Sequence, residues 1–502
     1  MKKYSEYMDE VSAEELFKGL LAEGMFSDKL PPIFTSEPFY EYCFDMKHNF
    51  KDTSHDYIRF NSMRNINIPR QLGIPVPMAY ARMCKGLSDN WDEIREYFHK
   101  QTDNQKFKVS RIHIRKLKDT GKLFEMNYDN WKLDGTPDDD LILGKRFLVK
   151  ADISTCFPSI YSHSIPWAFV GKEEAKNHKN KKTVYNKLDC LCQKIRDSET
   201  HGLIIGPHSS NLLSEIVLCA VDHKLVEEDY KFTRCIDDYT CYVETEEEAS
   251  RFIMKLANEL RYYDLELNFK KTSVERLPVV FSSQWVRKLC DKKADYRMRH
   301  KSENESFFYY SDVRSYIDNA LELMKDNQDN SAILNYAIKV LSKQKMTENA
   351  KSLCGKEFFH LALIYPYLIP LLEEYVIKPY NIGTDEIESF ANIAYCNGLK
   401  DGNYEESYYG IYFAWKYGFK LKEINSEDIL ETDNCILKLF GMLYYKSDEK
   451  ELEKYKEHAR KLKASYVMDR NWLFVYETLS KDDFTDEWKG LKAKNISFIK
   501  TI

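Results

Sequence analysis

The sequence lacks several patterns, and each absence excludes a class of protein. The 12 cysteines show no C-x-x-C spacing, and Cys190 and Cys192 stand one residue apart, which fits neither a zinc knuckle nor a redox motif. The longest apolar run, residues 358–372, is too short to span a bilayer. Residues 1–12 carry charges where a secretory signal needs an apolar stretch. We therefore expect a cytoplasmic protein with reduced thiols and no membrane partner.

An excess of positive charge is also absent. The formal net charge is −6 at pH 7, so bulk charge gives no support to nucleic-acid binding. Two local clusters do give support: residues 106–122 hold seven Lys or Arg against a single Asp, and a second cluster follows. The second cluster consists of Lys176, Lys179, Lys181, Lys182 and Lys187. Such clusters suit phosphate contacts, although a solvated face is the commoner explanation for any one of them.

Length and composition indicate a globular protein of more than one domain. With 502 residues, of which 43% are hydrophobic and 14% aromatic, the chain can bury large cores. We predict one unit over residues 1–300 and a second over residues 301–502. From about residue 312 the pattern is helical nearly throughout, in segments of roughly ten to twenty residues. One predicted helical segment spans residues 358–376, and its apolar part, residues 358–372, predicts a buried helix pair because Pro366 and Pro370 interrupt it. Successive helix pairs indicate a superhelical stack, but no strict sequence period accompanies them.

Two adjacent carboxylates, Asp237 and Asp238, stand at the centre of a β-rich run over residues 232–243. Asp is poor in strand interiors but good in turns, so the run predicts a hairpin with the Asp pair at its tip. Like charges side by side repel unless a cation lies between them, and a hard divalent ion with oxygen ligands is the usual solution. An isolated Asp-Asp pair is far more often a solvated turn, so support must come from elsewhere in the chain.

Three other segments supply that support. Residues 146–153 predict a buried strand that ends on Asp152, and residues 202–225 predict a loop that leads into a helix. A helix N-terminus is a place that favours phosphate. Residues 265–274, which contain Lys271, predict a further strand after the hairpin. In this order the elements build one α/β layer pair, and all three Asp side chains can reach its open end.

One Asp at the end of a buried strand, two at a hairpin tip and a following Lys are the parts of a two-metal phosphoryl-transfer site. In that interpretation Asp152 and Asp237 bridge two Mg²⁺ ions about 3.5–4 Å apart, and Asp238 completes the site. Mn²⁺ is an alternative ion. One metal lowers the pKa of an attacking hydroxyl, while the other holds the triphosphate and the departing pyrophosphate.

These segments resemble motifs A, B, C and D of reverse transcriptases, in that order. The matching segments are residues 149–160, 202–211, 235–238 and 267–272. By this resemblance Phe157 occupies the place of the aromatic gate that excludes a ribose 2′-hydroxyl, and Lys271 that of a proton donor to pyrophosphate. Residues 64–80, extended and proline-rich before a helix near Met78, are similar to the fingers segment of the family.

The resemblance implies a fold and a nucleotide site. The expected fold is an α/β reverse-transcriptase fingers and palm followed by an all-α HEAT-like helical domain. The fingers would take about residues 1–145 and 160–200, and the palm motifs residues 146–160 and 201–285. Ile153, Gly206 and Arg115 complete the expected nucleotide-binding set with Phe157.

A narrower resemblance is to the AbiK-type abortive-infection reverse transcriptases of bacterial anti-phage defence. It rests on residues 161–167, the triplet Thr200-His201-Gly202, residues 470–474 and the helical carboxyl-terminal half. That family implies a homo-oligomer that polymerises dNTPs without a template. It primes from one of its own tyrosines, so single-stranded DNA stays covalently attached; the phage trigger is unknown. Tyr4 and Tyr7, in an amino terminus that looks mobile, are candidate priming residues among 35 tyrosines.

Two departures from most reverse transcriptases bear on templating. Ile204 and Ile205 replace a Pro-Gln pair whose Gln supports the template, and Cys235 replaces an aromatic that contacts the primer end. Both losses are compatible with untemplated extension. Two alternatives remain open: a templated RNA-directed DNA polymerase, and a catalytically silent module that senses a phage component through its helical domain.

Overall fold

A computed structural model gives the fold, which is mostly helical with two small sheets. The residues that it describes are 3–46, 50–64, 68–117, 123, 135, 137–180, 182–280, 284–299 and 307–500. The boundary predicted at residue 300 lies outside these ranges, as do Lys118, Lys122 and Lys181 of the two basic clusters. None of the helices within these ranges is long and apolar enough to cross a bilayer.

The first part of the chain forms short helices around a two-stranded hairpin. The elements are α1 (Tyr4–Asp9), α2 (Ala13–Leu21), α3 (Glu37–Met46), β1 (Tyr57–Arg64), β2 (Ile68–Pro75), α4 (Pro77–Ser88), α5 (Trp91–Thr102) and α6 (Asp138–Leu141). Strands β1 and β2 are antiparallel, with Tyr57 opposite Pro75. The extended segment before a helix near Met78 is confirmed. Helix α4 begins at Pro77, a position where the missing N–H of proline costs nothing.

A four-stranded antiparallel sheet carries the segments that resemble the polymerase motifs. Its strands are β3 (Phe147–Asp152), β4 (Phe232–Cys235), β5 (Asp238–Val243) and β6 (Ser273–Arg276), in the spatial order β4-β5-β3-β6. Strand β3 therefore lies between β5 and β6, and Asp152 at its end is opposite Asp238 at the start of β5. This register brings the predicted motif A strand and the predicted Asp-Asp hairpin to one edge of the sheet.

Six helices connect and cover these strands. They are α7 (Cys156–Ser159), α8 (Ser164–Val170), α9 (Lys172–Asn177), α10 (Val184–Lys194), α11 (His208–Glu227) and α12 (Glu246–Tyr262). Helix α11 is buried along most of its length, and it follows the glycine-flanked loop as the sequence predicts. Because α11 is buried on several faces, it can present charged groups to the sheet without exposing them to water.

The remaining chain is helical, as the sequence predicts. The helices are α13 (Gln284–Arg299), α14 (Tyr310–Asp326), α15 (Ser331–Leu341), α16 (Glu348–Ile364), α17 (Ile369–Leu372), α18 (Lys378–Tyr380), α19 (Thr384–Asp401), α20 (Tyr404–Tyr417), α21 (Ser426–Glu431), α22 (Cys435–Tyr444), α23 (Glu449–Lys463), α24 (Trp472–Thr478) and α25 (Asp486–Ala493). A HEAT-like repeat within them stays a prediction.

The buried helix pair predicted over residues 358–372 is confirmed, whereas one continuous helix over residues 358–376 is wrong. Helix α16 ends at Ile364, a 3₁₀ turn follows at Pro366–Leu368, and a π-helical turn lies at Glu373–Ile377. Proline at position 366 has no N–H to donate, and it disfavours helical backbone at the residue before it. Tyr365 accordingly leaves the helical region, with φ −122° and ψ 80°.

The carboxyl-terminal helices hold the β1-β2 hairpin from one side. Glu405 of α20 is buried and accepts hydrogen bonds from the Ser62 hydroxyl (3.0 Å) and the Met63 N–H (2.7 Å) of β1. At the other end of β1, Arg470 donates to Asp56 (2.5 Å). Strand β2 contacts the loop before α11, because the Gly73 N–H donates to the Ile205 carbonyl (2.9 Å). The hairpin thus joins the helical part to the sheet part.

A pH-dependent stability follows from the burial of Glu405. Burial raises the pKa of Glu405 from 4.5 to about 7, although the Met63 N–H and the Ser62 hydroxyl oppose the rise. As pH rises between these values, the unfolded chain releases the proton before the folded chain does. The contribution of Glu405 to the free energy of unfolding therefore falls over this window.

Between about pH 5 and about pH 8, the free energy of unfolding should fall less in Glu405→Gln than in the wild type. We expect the difference to be about 1–3 kcal/mol. Melting temperatures at the two pH values measure the effect. Glu457→Gln, at an exposed site of α23, serves as the matched control and should follow the wild type. An equal response of Glu405→Gln and wild type would contradict the titration of Glu405.

Candidate metal centre

The hairpin predicted around Asp237 and Asp238 is confirmed. Strand β4 ends at Cys235 and β5 begins at Asp238, and these two residues pair across the turn. Ile236 and Asp237 form the two-residue tip. Ile236 has a φ of +60°, a left-handed conformation that a β-branched residue rarely adopts because its side chain crowds the backbone. Contacts elsewhere must therefore hold this turn.

Three carboxylates converge at the tip of the hairpin. Asp152, Asp237 and Asp238 each offer one oxygen, and these oxygens all lie within 4.8 Å of one another. The Ile153 N–H donates to the Asp237 carbonyl (3.1 Å), which ties the end of β3 to the turn. Oxygen donors of this kind fit Mg²⁺ and Mn²⁺, which prefer carboxylates to nitrogen or sulfur.

The electrostatics of the cluster also favour a cation. Burial, and then the charges of Asp237 and Asp152, raise the pKa of Asp238 to about 6. Burial likewise raises the pKa of Asp237, and the charge of Asp152 adds to the rise. Both shifts show that the ionised forms are disfavoured without a counter-charge. A divalent cation between the carboxylates would supply that charge, so the residues present fit the metal that the sequence predicts.

Lys271 and Asn268 both contact Asp152. The Lys271 ammonium donates to Asp152 Oδ2 (2.7 Å), and Asn268 Nδ2 donates to Oδ1 (3.0 Å). The Asn268 N–H also donates to the Asp152 carbonyl (2.8 Å). Sequence reasoning missed Asn268; its only signal is its place three residues before Lys271.

The strand predicted over residues 265–274 is wrong over most of its length, since Leu267 makes only an isolated bridge to Ile153 before the turn that follows. Phe269–Lys271 is a 3₁₀ turn, and β6 begins only at Ser273. Asn268 causes the turn, because its side-chain oxygen accepts from the Lys270 N–H (3.2 Å) and competes with strand pairing. The turn places Lys271 beside Asp152 with 60% of its side chain exposed.

A buried arginine, which sequence reasoning also missed, lies beneath the hairpin. The Arg234 side chain of β4 is fully buried. It contacts Asp222 through Nη2 (2.7 Å) and Glu215 through Nη1 (2.7 Å), both on α11. Nη1 also donates to the Ile236 carbonyl (2.8 Å). One side chain therefore ties the strained turn to the central helix.

Arg234 stays charged in this setting. Burial lowers its pKa, but Asp222 and Glu215 outweigh that effect and raise the pKa above its usual range. Buried ion groups of this kind contribute little net stability, yet removal of one partner leaves an uncompensated charge and costs about 3–5 kcal/mol. We therefore interpret Arg234 as a positioning residue for Asp237 and Asp238.

Phe157, Ile153 and Gly206 lie near the cluster in different ways. Phe157 is buried on α7 and lines a small cavity that Ile236 also lines. The Ile153 side chain is in the core, so only its backbone faces the hairpin. Gly206 has a φ of +128°, and a Cβ there would lie 3.0 Å from the Gly73 carbonyl oxygen. Their roles in nucleotide binding stay predictions.

The first basic cluster is divided where the structure describes it, since Lys106 and Lys116 are exposed but its other members are not. Lys108, Arg111 and Arg115 are all buried. The segment runs beside β4, since the Arg111 N–H donates to the Arg234 carbonyl (2.7 Å). The Arg115 guanidinium lies over the Tyr7 ring at 5.4 Å. Its predicted nucleotide contact remains untested.

The expectation of a mobile amino terminus is wrong for α1. Tyr4 is 1% exposed, with its ring against Phe98 (5.5 Å) and His113 (4.2 Å). Helix α1 is amphipathic, and packing of its apolar face against α5 outweighs its shortness. Burial raises the pKa of Tyr4 well above its usual range. Tyr7 is partly exposed and lies 4.7 Å from the Lys108 ammonium.

The two departures from the usual motifs are both part of the packing. Ile204 is 4% exposed, and its Cγ2 lies so close to Gly73 that a Cβ there would approach to 2.5 Å. The Ile205 carbonyl is engaged by Gly73. Burial raises the pKa of Cys235 to about 11, so it stays a neutral thiol. Neither isoleucine side chain carries a hydrogen-bonding group for a base pair.

Comparisons with known proteins add little to this geometry. No protein-family model matches the chain, and no curated protein matches it. Among solved structures, apo telomerase from Candida tropicalis is 11% identical, with 81% of this chain and 71% of that chain covered at a TM-score of 0.33. Telomerase from Candida albicans with a fragment of telomeric RNA is 12% identical, with 77% and 70% covered at a TM-score of 0.29. Similarity at these TM-scores carries no argument.

The role of Arg234 leads to a prediction with an internal control. Arg234→Met should lower the free energy of unfolding by about 3–5 kcal/mol, because it leaves the carboxylates of Glu215 and Asp222 in the core without their cationic partner. The triple variant Arg234→Met/Glu215→Gln/Asp222→Asn removes those charges and should recover most of the loss. Chemical denaturation of the three proteins measures both effects.

A second measurement separates positioning from stability. The triple variant still lacks the bond to the Ile236 carbonyl, so the carboxylates should be held less firmly. We expect the Mn²⁺ concentration that gives half of the thermal stabilisation to rise about tenfold, equivalent to about 1.4 kcal/mol. A stable triple variant with unchanged Mn²⁺ affinity would show that Arg234 is only structural.

Proposed function

We propose that this chain is a nucleotidyltransferase of reverse-transcriptase type that joins dNTPs into DNA by two-metal phosphoryl transfer. The observation that carries the proposal is the convergence of Asp152, Asp237 and Asp238 within 4.8 Å. The order of the surrounding motifs along the sequence adds to it. A scaffold has no use for three converging carboxylates at one edge of a sheet, which disfavours a silent sensing module.

The residues take distinct roles in this proposal. Asp152 and Asp237 would hold two Mg²⁺ ions and Asp238 would complete the site. When bound, the ions lower the pKa of the attacking hydroxyl and neutralise the triphosphate. Lys271 would leave Asp152 when a cation takes that oxygen. Because its side chain is 60% exposed, its ammonium can then turn to the leaving pyrophosphate and donate a proton.

Untemplated synthesis is the finer part of the proposal. The position where most reverse transcriptases carry a template-supporting Gln is Ile205, whose side chain has no hydrogen-bonding group. Ile204 beside it is packed in the core. Cys235 offers no aromatic face to a primer end. These features favour extension without a template over RNA-directed synthesis.

The defence role rests on the resemblance to AbiK-type enzymes alone. It includes priming from a tyrosine, a single-stranded DNA product attached to the protein, assembly into a homo-oligomer and activation by a phage component. Of the two candidate priming residues, Tyr7 is the more accessible, because Tyr4 is 1% exposed. Mass spectrometry of the nucleotide-linked peptide identifies the residue.

Asp237→Asn should lower dNTP incorporation with Mg²⁺ by at least about a thousandfold, or about 4 kcal/mol in the barrier, while the fold survives. Labelled dNTP incorporation without added nucleic acid is the measurement. Asp482→Asn, at an exposed site, is the matched control and should keep full activity. Retained activity in Asp237→Asn would contradict the metal assignment.

The same assay separates the two polymerase hypotheses. Product made without RNA, and retained on the protein in a denaturing gel, supports untemplated protein-primed synthesis. Product that forms only with an RNA template supports the templated alternative.

Phe157→Ala should admit ribonucleotides, because the aromatic ring would no longer meet the 2′-hydroxyl. We expect the preference for dNTPs over rNTPs to fall about 10- to 100-fold, the range of steric discrimination by one side chain. Competition between a dNTP and the matching rNTP measures it. Phe157→Leu keeps more of the buried volume and tests whether loss of folding explains the result; an unchanged preference in both variants would refute the gate.

A further inference from the structure

A cleft outside the carboxylate cluster has the chemistry of a single-stranded DNA site. It has a volume of about 400 Å³ and lies between α8, α9 and α10. Tyr161, His163 and Trp167 line one side, and Lys176 and Lys179 line another. We propose that this cleft binds single-stranded DNA a few nucleotides away from the metal centre. The proposal rests on the proposed function, since it assigns a path to the product of that reaction.

The aromatic side of the cleft is a stacking platform. The Tyr161 ring lies 4.7 Å from the His163 ring, 4.9 Å from the His201 ring and 5.6 Å from the Trp167 ring. Trp167 is buried, and the Lys172 ammonium lies over its ring at 3.9 Å. Tyr161 and His163 are partly exposed. Bases stack on such side chains regardless of sequence, with about 1–3 kcal/mol per base.

The charges at the cleft suit a phosphate backbone. Lys176 and Lys179 are exposed at its rim and belong to the second basic cluster of the sequence. The one acidic residue of the lining, Asp189, is bonded to His163 (2.6 Å) and to Gln193 (2.8 Å). Its charge is therefore partly compensated before any ligand arrives. The lysines can each contact a phosphate that passes the rim.

The position of the cleft in the fold links it to the metal centre. Tyr161 follows Phe157 by four residues, so their Cα atoms are at most about 14 Å apart. The Tyr161 backbone pairs with His201, next to the glycine that opens the loop before α11. Since a stacked strand advances about 3.4 Å per nucleotide, about four nucleotides span the distance from Phe157 to the cleft.

Binding of a fluorescein-labelled oligothymidylate to the full-length protein, measured by fluorescence anisotropy without dNTPs, tests the proposal. Tyr161→Ala should weaken binding about tenfold and leave its salt dependence unchanged, because stacking involves no counterion. Lys176→Ala/Lys179→Ala should lower the slope of log affinity against log salt by about 1.4, at about 0.7 for each lost phosphate contact.

Lys420→Ala/Lys422→Ala removes two exposed lysines from the helical part and is the matched control; it should bind as the wild type does. Wild-type affinity and salt slope in both cleft variants would overturn the proposal. Failure of the proposed function is a separate result: a wild type that makes no DNA, while the cleft variants still lose binding, would leave the DNA site in place without a polymerase. Cleft variants that still make DNA and bind the oligonucleotide as the wild type does would refute the DNA site and leave the proposed function in place.

Discussion

The whole metal centre depends on the buried ion group of Arg234 with Glu215 and Asp222. Three carboxylates at one place repel one another. Asp237 lies in the turn directly before Asp238, and the first residue of that turn, Ile236, is in a left-handed conformation. The Arg234 guanidinium holds the carbonyl of that residue and is itself held by two carboxylates of a buried helix. The hydrogen bonds of the buried Arg234 thus hold the turn in place against the repulsion among the three carboxylates.

A second chain of contacts connects distant parts of the molecule to the same centre. Glu405 on α20 holds β1, Gly73 on β2 meets the Ile205 carbonyl, and the loop that contains Ile205 leads into the helix that carries Glu215. Each step is a hydrogen bond to backbone or a close backbone approach, which tolerates little displacement. The carboxyl-terminal helices therefore affect the geometry of the β4-β5 hairpin, although they contribute no residue to the carboxylate cluster.

The sequence alone predicts the three aspartates and Lys271, because strand ends and hairpin turns leave clear local patterns. It does not predict Arg234, which looks like an ordinary strand residue; its partners are 12 and 19 residues away on a helix, and only the packing brings them together. Asn268 is missed for a related reason, since its competition with strand pairing appears only in three dimensions. The burial of Lys108 could not be predicted either, because a run of Lys and Arg residues normally indicates a solvent-exposed surface.

The most direct test of this account is the number of divalent ions that the carboxylates hold. Mn²⁺ binding to the full-length protein, followed by electron paramagnetic resonance in the presence of a non-hydrolysable dNTP analogue, gives that number. We expect about two ions per chain in the wild type and a loss of both in Asp152→Asn, because Asp152 would hold both ions in the proposed site. Absence of bound Mn²⁺ in the wild type, or an unchanged number in Asp152→Asn, would contradict the account.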